Sequence, residues 1–402
     1  MKKCIFNATV VAPGALLPNH AVFIQDDRIA SVTPMDSLPC RSLGREDIDF
    51  FDARNGYVMP GFIDVHSDYI EGILQPRPTC LMDFETGLRE AEKQLLGHGV
   101  TTIYHSLSLM KSGGARGRHS FRTPENLERL VDCIGALSGG QHLIRHRFHA
   151  RYEIDNLEIY GYLLRLMDEG RVHELSFMDH TPGQGQYRNL EIYAQSYVTW
   201  DAGYSDAALE DILAAAKNKP VASHEMLKRL SRLARERGIT LASHDDDSPE
   251  KLAFMKNEYG VQISEFPVEL EVARKARAEG VLVVLGAPNI MLGGSHSGNL
   301  SALEAIREGC ADILCSDYYP AALLHAVFKL EAEGILSLPE AVRMVTLNPA
   351  RAMGLSADYG SLEAGKKADL LVVKKIQGCP MIQKCFIDGR AAAQFDYYRG
   401  AA

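Results

Sequence analysis

The chain has 402 residues, 46% of them hydrophobic, enough for one large core and a small satellite unit. Its 43 basic against 52 acidic residues give a net charge of −9, which argues against a general nucleic-acid surface. No apolar run approaches the roughly 18 residues needed to cross a bilayer.

Eight cysteines (Cys4, Cys40, Cys80, Cys133, Cys310, Cys315, Cys379, Cys385) are scattered without paired spacing and read as reduced thiols of a cytoplasmic protein. The chain starts directly in an alternating pattern rather than in a long apolar leader. Residues 5–12 and 21–32 are predicted strands, with a hairpin turn at Asp26-Asp27. A polar stretch, 35–50, leads to Phe51. From Pro60 the texture changes, and short apolar strands alternate with helical segments at 81–96, 124–137, 207–217, 225–237, 249–258, 268–279, 300–308 and 320–334. The strands between them end near His66/Asp68, His105, Glu153, His180, His244, Glu265, Ala287 and Asp317. Eight strand-then-helix units predict an α/β fold, a (β/α)8 TIM-like barrel over residues 59–352, with all strand ends on one face. Residues 1–58 and 353–402 are strand-rich again and predict one small β-sandwich domain built from both termini.

The strand Phe62-Ile63-Asp64-Val65 ends in His66 and Asp68, two apart, which period-two geometry would point to one side. An imidazole and a carboxylate converging there can ligate a divalent cation. His-x-Asp alone is weak, but Glu153, His180, His244 and Asp317 close other strands in the same way. Three imidazoles and three carboxylates on one rim would satisfy two divalent metals, with Glu153 as the shared ligand. Imidazole and carboxylate suit zinc, and carboxylates also suit manganese or iron.

These features, with the Gly360-Ser361-Leu362-Glu363-Ala364-Gly365-Lys366-Lys367-Ala368-Asp369-Leu370 end, resemble the amidohydrolase superfamily. Longer stretches resemble one branch of it, the metal-dependent diphosphatases of the carbon–phosphorus lyase pathway of phosphonate metabolism. They include Pro60 to Asp68, Met178-Asp179-His180-Thr181-Pro182-Gly183-Gln184, Ala242-Ser243-His244-Asp245-Asp246-Asp247, Ser264-Glu265-Phe266-Pro267 and Gly293-Gly294-Ser295-His296-Ser297-Gly298-Asn299. The resemblance implies the six metal ligands above, release of diphosphate from a ribosyl 5-triphosphate, Asp317 as acceptor of the nucleophile's proton and His244 beside it in the catalytic set. Most superfamily members carry His-x-His where this chain has His66-Ser67-Asp68, and many use a carbamylated lysine as the shared ligand in place of Glu153. Both departures agree with the diphosphatase branch. The segment Met110 to Arg118 has no close counterpart there.

A phosphorylated small-molecule substrate needs donors beyond the metals. Gly294, Ser295, His296, Ser297 and Asn299 form a glycine-rich loop able to turn backbone N–H groups toward an anion. Arg77, Arg116, Arg118 and Arg122 are candidate phosphate clamps. Two rival readings stay open: a hydrolase of cyclic amides or N-acyl compounds with the same metals, and a non-catalytic scaffold subunit. The sequence also leaves homo-oligomer formation open.

Overall fold

The computed structural model describes residues 2–37, 48–77, 79–109, 122–181, 185, 219–295 and 298–397. Helix 207–217 of the sequence reading lies outside them.

The N-terminal strands are β1 (Lys2–Ala12), β2 (Ala15–Gln25), β3 (Arg28–Pro34), β4 (Ile48–Asp52) and β5 (Tyr57–Pro60). Asp26, with φ 56°, sits in the β2–β3 hairpin, where a short carboxylate side chain tolerates the left-handed conformation. On one side β1 pairs with β2; on the other, residues 2–6 pair with β4 and residues 9–10 with β5.

The barrel follows as β6 (Phe62–Ser67), β7 (Val100–Leu109), β8 (Arg145–Glu153), β9 (Glu174–Met178), β10 (Thr240–His244), β11 (Ile263–Glu265), β12 (Leu282–Gly286) and β13 (Ile313–Cys315). All neighbours are parallel in sequence order. A Ser67–Asp317 bridge joins the last strand to the first, with Asp317 N–H donating to His66 O and Asp68 N–H to Asp317 O, both at 3.0 Å. The strands are buried on both faces, as a parallel barrel requires. Ile63, Val65, Tyr104, Ala242, Ile263, Val284 and Ile313 pack inside, while Ile103, Leu107, Phe148, Ala150, Tyr152 and Leu175 belong to the layer beneath the helices.

The first long helix, Phe84–Gly97, starts where Asp83 accepts the Thr86 N–H at 2.9 Å and buries Phe84, Leu88, Ala91 and Leu95. It ends before Gly99, whose φ is +91° and where a Cβ would stand 2.8 Å from Leu371 and 2.9 Å from Phe62. Only glycine fits there.

The strands β14 (Leu370–Ile376), β15 (Cys379–Ile387) and β16 (Arg390–Gln394) return to the first sheet, where β14 pairs with β5. Ile5, Val10, Val22, Ile24 and Ile29 share a core with Leu370, Val372 and Phe386. Arg145, at the start of β8, joins the two units: its guanidinium meets Asp369 and, at 2.8 Å, Asp388.

One strand end is misplaced in the sequence reading. β7 runs on to Leu109, so His105 is mid-strand. Tyr104 points inward, and His105 therefore faces the helices, with Nε2 2.9 Å from His146 Nδ1 and His146 Nε2 3.3 Å from Glu92.

Candidate metal centre

The strand ends of β6, β8, β10 and β11 and the segments just past β9 and β13 converge on one mouth. His66 is buried and contacts Glu265 Oε1 through Nδ1 at 2.6 Å. Burial pushes the His66 imidazole down and outweighs the pull of Glu265, so the neutral ring donates its Nδ1–H and keeps the Nε2 lone pair. Burial would raise Glu265, but His66 and His149 hold it well below the usual carboxylate range.

His180 Nδ1 contacts Glu153 Oε1. Burial lowers His180, yet Glu153 and Asp245 prevail and raise it to about 9. His244 Nδ1 lies 3.0 Å from Asp245 Oδ2, and His180 Nε2 lies 3.6 Å from the same oxygen. On its other side, Arg151 Nη2 stands 3.3 Å from His244 Nε2; since guanidinium only donates, Nε2 accepts. The rings of His66 and His244 are 5.4 Å apart and both pack on Phe266.

Asp68 lies one residue past β6, at φ −99° and ψ 11°, heading the Tyr69–Leu74 helix. Strand alternation does not reach it, so its placement follows instead from the backbone bond to Asp317. Burial first, then the charges of Asp317 and Glu71, push its carboxyl up to about 7. Asp317 itself has φ 55°, and its carbonyl accepts from Ser67 Oγ at 3.0 Å. Asp245 and Phe266, each directly after its strand, both have φ 52°. Left-handed backbone at three strand exits of one mouth concentrates strain at a site that places side chains exactingly.

Among the described residues, three groups hold donor atoms all within 4.8 Å of one another: His66, His244 and Glu265; His180, His244 and Asp245; and His149, Glu174 and Glu265. His244 Nδ1 and Asp245 Oδ2 are buried and lack an aligned hydrogen bond. Their spacings bracket the edge of a tetrahedron around zinc, about 3.3 Å for ligands at about 2.0 Å. The donors therefore fit a divalent cation. Glu153 joins these groups through His180, while the main chains of Asp68 and Asp317 are bonded to each other, and that of Asp317 to His66.

Sequence reading treated Glu265 only as a strand end and passed over His149, Arg151 and Glu174. The signal was present on β8, where apolar Phe148, Ala150 and Tyr152 alternate with polar His149, Arg151 and Glu153. His149 is held between the hydroxyls of Ser106 at 3.0 Å and Ser176 at 2.8 Å, and burial pushes it down to about 3. Of the Asp245-Asp246-Asp247 run, Asp246 is fully buried and accepts from Ser243 and Ser264, each at 2.5 Å.

Among the expected anion-binding residues, Arg77 is exposed, and Arg122 pairs with Glu71 at 2.7 Å. The N–H groups of Gly293 and Gly294 close the Ala287–Leu292 helix on Asn289 O at 3.1 and 3.0 Å. Gly294 thus turns its backbone donor to its own helix. Ser295 and Asn299 flank the loop; His296, Ser297, Arg116 and Arg118 lie outside the described residues.

Residues 57–392 match the Amidohydrolase family. The chain is 34% identical over 333 residues to the alpha-D-ribose 1-methylphosphonate 5-triphosphate diphosphatase of Escherichia coli, covering 81% of this chain and 85% of that protein. It is 23% identical over 391 residues to the imidazolonepropionase of Bdellovibrio bacteriovorus, covering 89% of this chain and 84% of the other. The fold is similar to the crystal structure of N-acetylglucosamine-6-phosphate deacetylase from Pasteurella multocida, with a TM-score of 0.63 at 11% identity over 97% of this chain and 99% of that one.

Proposed function

Because the chain belongs to the amidohydrolase family, with the barrel and the His/carboxylate mouth to match, we propose that this hydrolase cleaves a phosphoanhydride. Its substrate in this reading is a ribosyl 5-triphosphate such as α-D-ribose 1-methylphosphonate 5-triphosphate, and its product is diphosphate. The observation that carries the reading is the 34% identity to the diphosphatase across 85% of that relative's length.

His66, Asp68, Glu153, His180, His244 and Asp317 would hold two divalent ions, zinc by the chemistry of the donor set, with Asp245 beside His244 and His180. Bound there, such ions supply Lewis acidity and a water of lowered pKa, about 7 in zinc hydrolases. Glu265 orients His66 through Nδ1. The two backbone bonds between Asp317 and β6 fix its main chain, so its carboxylate can take the proton of the attacking water at a set position. Asp68, whose carboxyl is pushed up by burial and by Asp317 and Glu71, would be held ionised by a cation bound beside it.

The weaker likeness to imidazolonepropionase favours a second reading, hydrolysis of a cyclic amide at carbon. Incubating metal-loaded protein with a ribosyl 5-triphosphate and following products by ³¹P NMR separates the two. Diphosphate with a 5-monophosphate supports phosphoanhydride cleavage between the α and β phosphorus atoms. Orthophosphate alone moves attack to the γ phosphorus. An inert triphosphate with turnover of a cyclic amide hands the site to the second reading.

A further inference from the structure

Arg151 lies two residues from the C-terminal end of β8, turned into the barrel between His149 and Glu153, while Ala150 and Tyr152 pack beneath the helices. Other arginines of this chain are ion-paired: Arg122 with Glu71, Arg145 with Asp369 and Arg171 with Asp132. For Arg151, the described residues provide His244 Nε2 at 3.3 Å and no carboxylate ion pair. Its Nε is buried and has no hydrogen-bond partner among them.

A half-buried guanidinium with a buried Nε and no carboxylate ion pair among the described residues gains from an anion that pairs with it. Its rigid fork offers two parallel N–H donors, which match the oxygens of a phosphoryl group better than a single carbonyl. Any cation bound at His244 adds positive charge beside Arg151, which favours an anionic group that meets both. We propose that Arg151 is a binding residue for the diphosphate portion of the substrate, and that it grips the same group in the released diphosphate product. This assignment rests on the phosphoanhydride reading above and names the protein donor that reading otherwise lacks in the mouth.

Inorganic diphosphate is the probe. Calorimetric titration into the metal-loaded wild type, Arg151→Lys and Arg151→Met, with metal content measured on each, tests the assignment. Losing a charged hydrogen-bonded fork should weaken binding by about 10- to 100-fold in Arg151→Met, with metal content unchanged. Arg151→Lys, which keeps the charge without the fork, should fall between the two. Equal affinity in wild type and Arg151→Met overturns the assignment and leaves the phosphoanhydride reading standing. So does loss of metal in that variant, which would make Arg151 a prop for His244. If Arg151→Met does not fold, Arg151→Lys decides, and wild-type affinity there overturns it. A wild type that ignores diphosphate removes both the assignment and the reading beneath it.

Discussion

Replacing Arg145 by Met would strip the cation that Asp369 shares with Asp388, whose other ion pair is Lys367 at 3.6 Å. Asp369 is 6% exposed and Arg145 14%, so this pair is nearly dry, whereas Asp388 is 41% exposed and can turn to water. Breaking a buried pair from its cationic side leaves an uncompensated carboxylate and costs about 3–5 kcal/mol. With an unfolding entropy of about 2.1 cal/mol/K per residue, a chain of 402 residues gives roughly 0.8 kcal/mol/K, and Tm should fall by about 4–6 °C. Asp369→Asn should cost less, about 1–2 kcal/mol, because the amide oxygen still accepts the Asp388 N–H now held at 2.9 Å and Arg145 keeps Asp388. The double variant should be milder than the sum, since a neutral amide needs no cation. Differential scanning calorimetry on all three, at fixed metal loading, reads these differences. Strict additivity, or an Arg145→Met loss below about 1 kcal/mol, would refute the reasoning. Metal content should not change, because Arg145 starts β8 and the donors lie at its far end.

His66→Ala and Asp68→Ala should each lower bound metal and abolish turnover while far-UV circular dichroism keeps the barrel signature. The metal-free His66 variant should be the less stable of the two, because Glu265 then loses its 2.6 Å partner; unchanged metal and activity in both would dismantle the ligand assignment. Removing residues 1–50 should cause aggregation, since Ile5, Val10, Val22 and Ile24 cover Leu370, Val372 and Phe386, and a soluble, active truncation would show that the barrel stands alone. His173, pushed down to about 4 by burial and Arg147, stays neutral in the fold and accepts the Phe148 N–H. The unfolded chain protonates first, so stability present above about pH 6.5 is lost as pH falls toward 4, at up to about 1.4 kcal/mol per unit. His173→Asn should flatten that part of a urea-unfolding pH series; an unaltered slope would assign the acid sensitivity elsewhere.

The barrel was legible because its signals are local and periodic: helical segments alternate with short apolar strands, and the helix expected at 124–137 starts in the structure at Pro124, capped by Thr123. The terminal sheet showed through its hairpin at Asp26-Asp27. Strand lengths were harder to read. His105 drew attention as a polar residue after an apolar run, yet β7 continues past it, because buried parallel strands carry polar groups wherever a neighbour such as His146 can satisfy them. In the mouth, Glu265 and Arg151 escaped for a different reason. Their importance lies in pairings across 199 and 93 residues of sequence, to His66 and His244, which no local pattern encodes. Asp68 shows the converse, a residue placed in the mouth by a backbone bond where side-chain alternation was the argument.

The closure of β13 onto β6 has a consequence for how this protein is made. Ser67 and Asp317 are 250 residues apart, and the contact that completes the ring also completes the mouth. A ribosome must extrude nearly the whole barrel before the first strand finds its last neighbour, and the edge of β5 waits longer still for β14. Contacts of such separation form late and leave strand edges open in the meantime. Metal capture that depends on Asp317 can therefore begin only once the barrel has been synthesised through its last strand. A translation product interrupted before β13 lacks both the strand that seals the ring and the Asp317 proposed as a ligand, so on that proposal it would bind metal less well than the full chain.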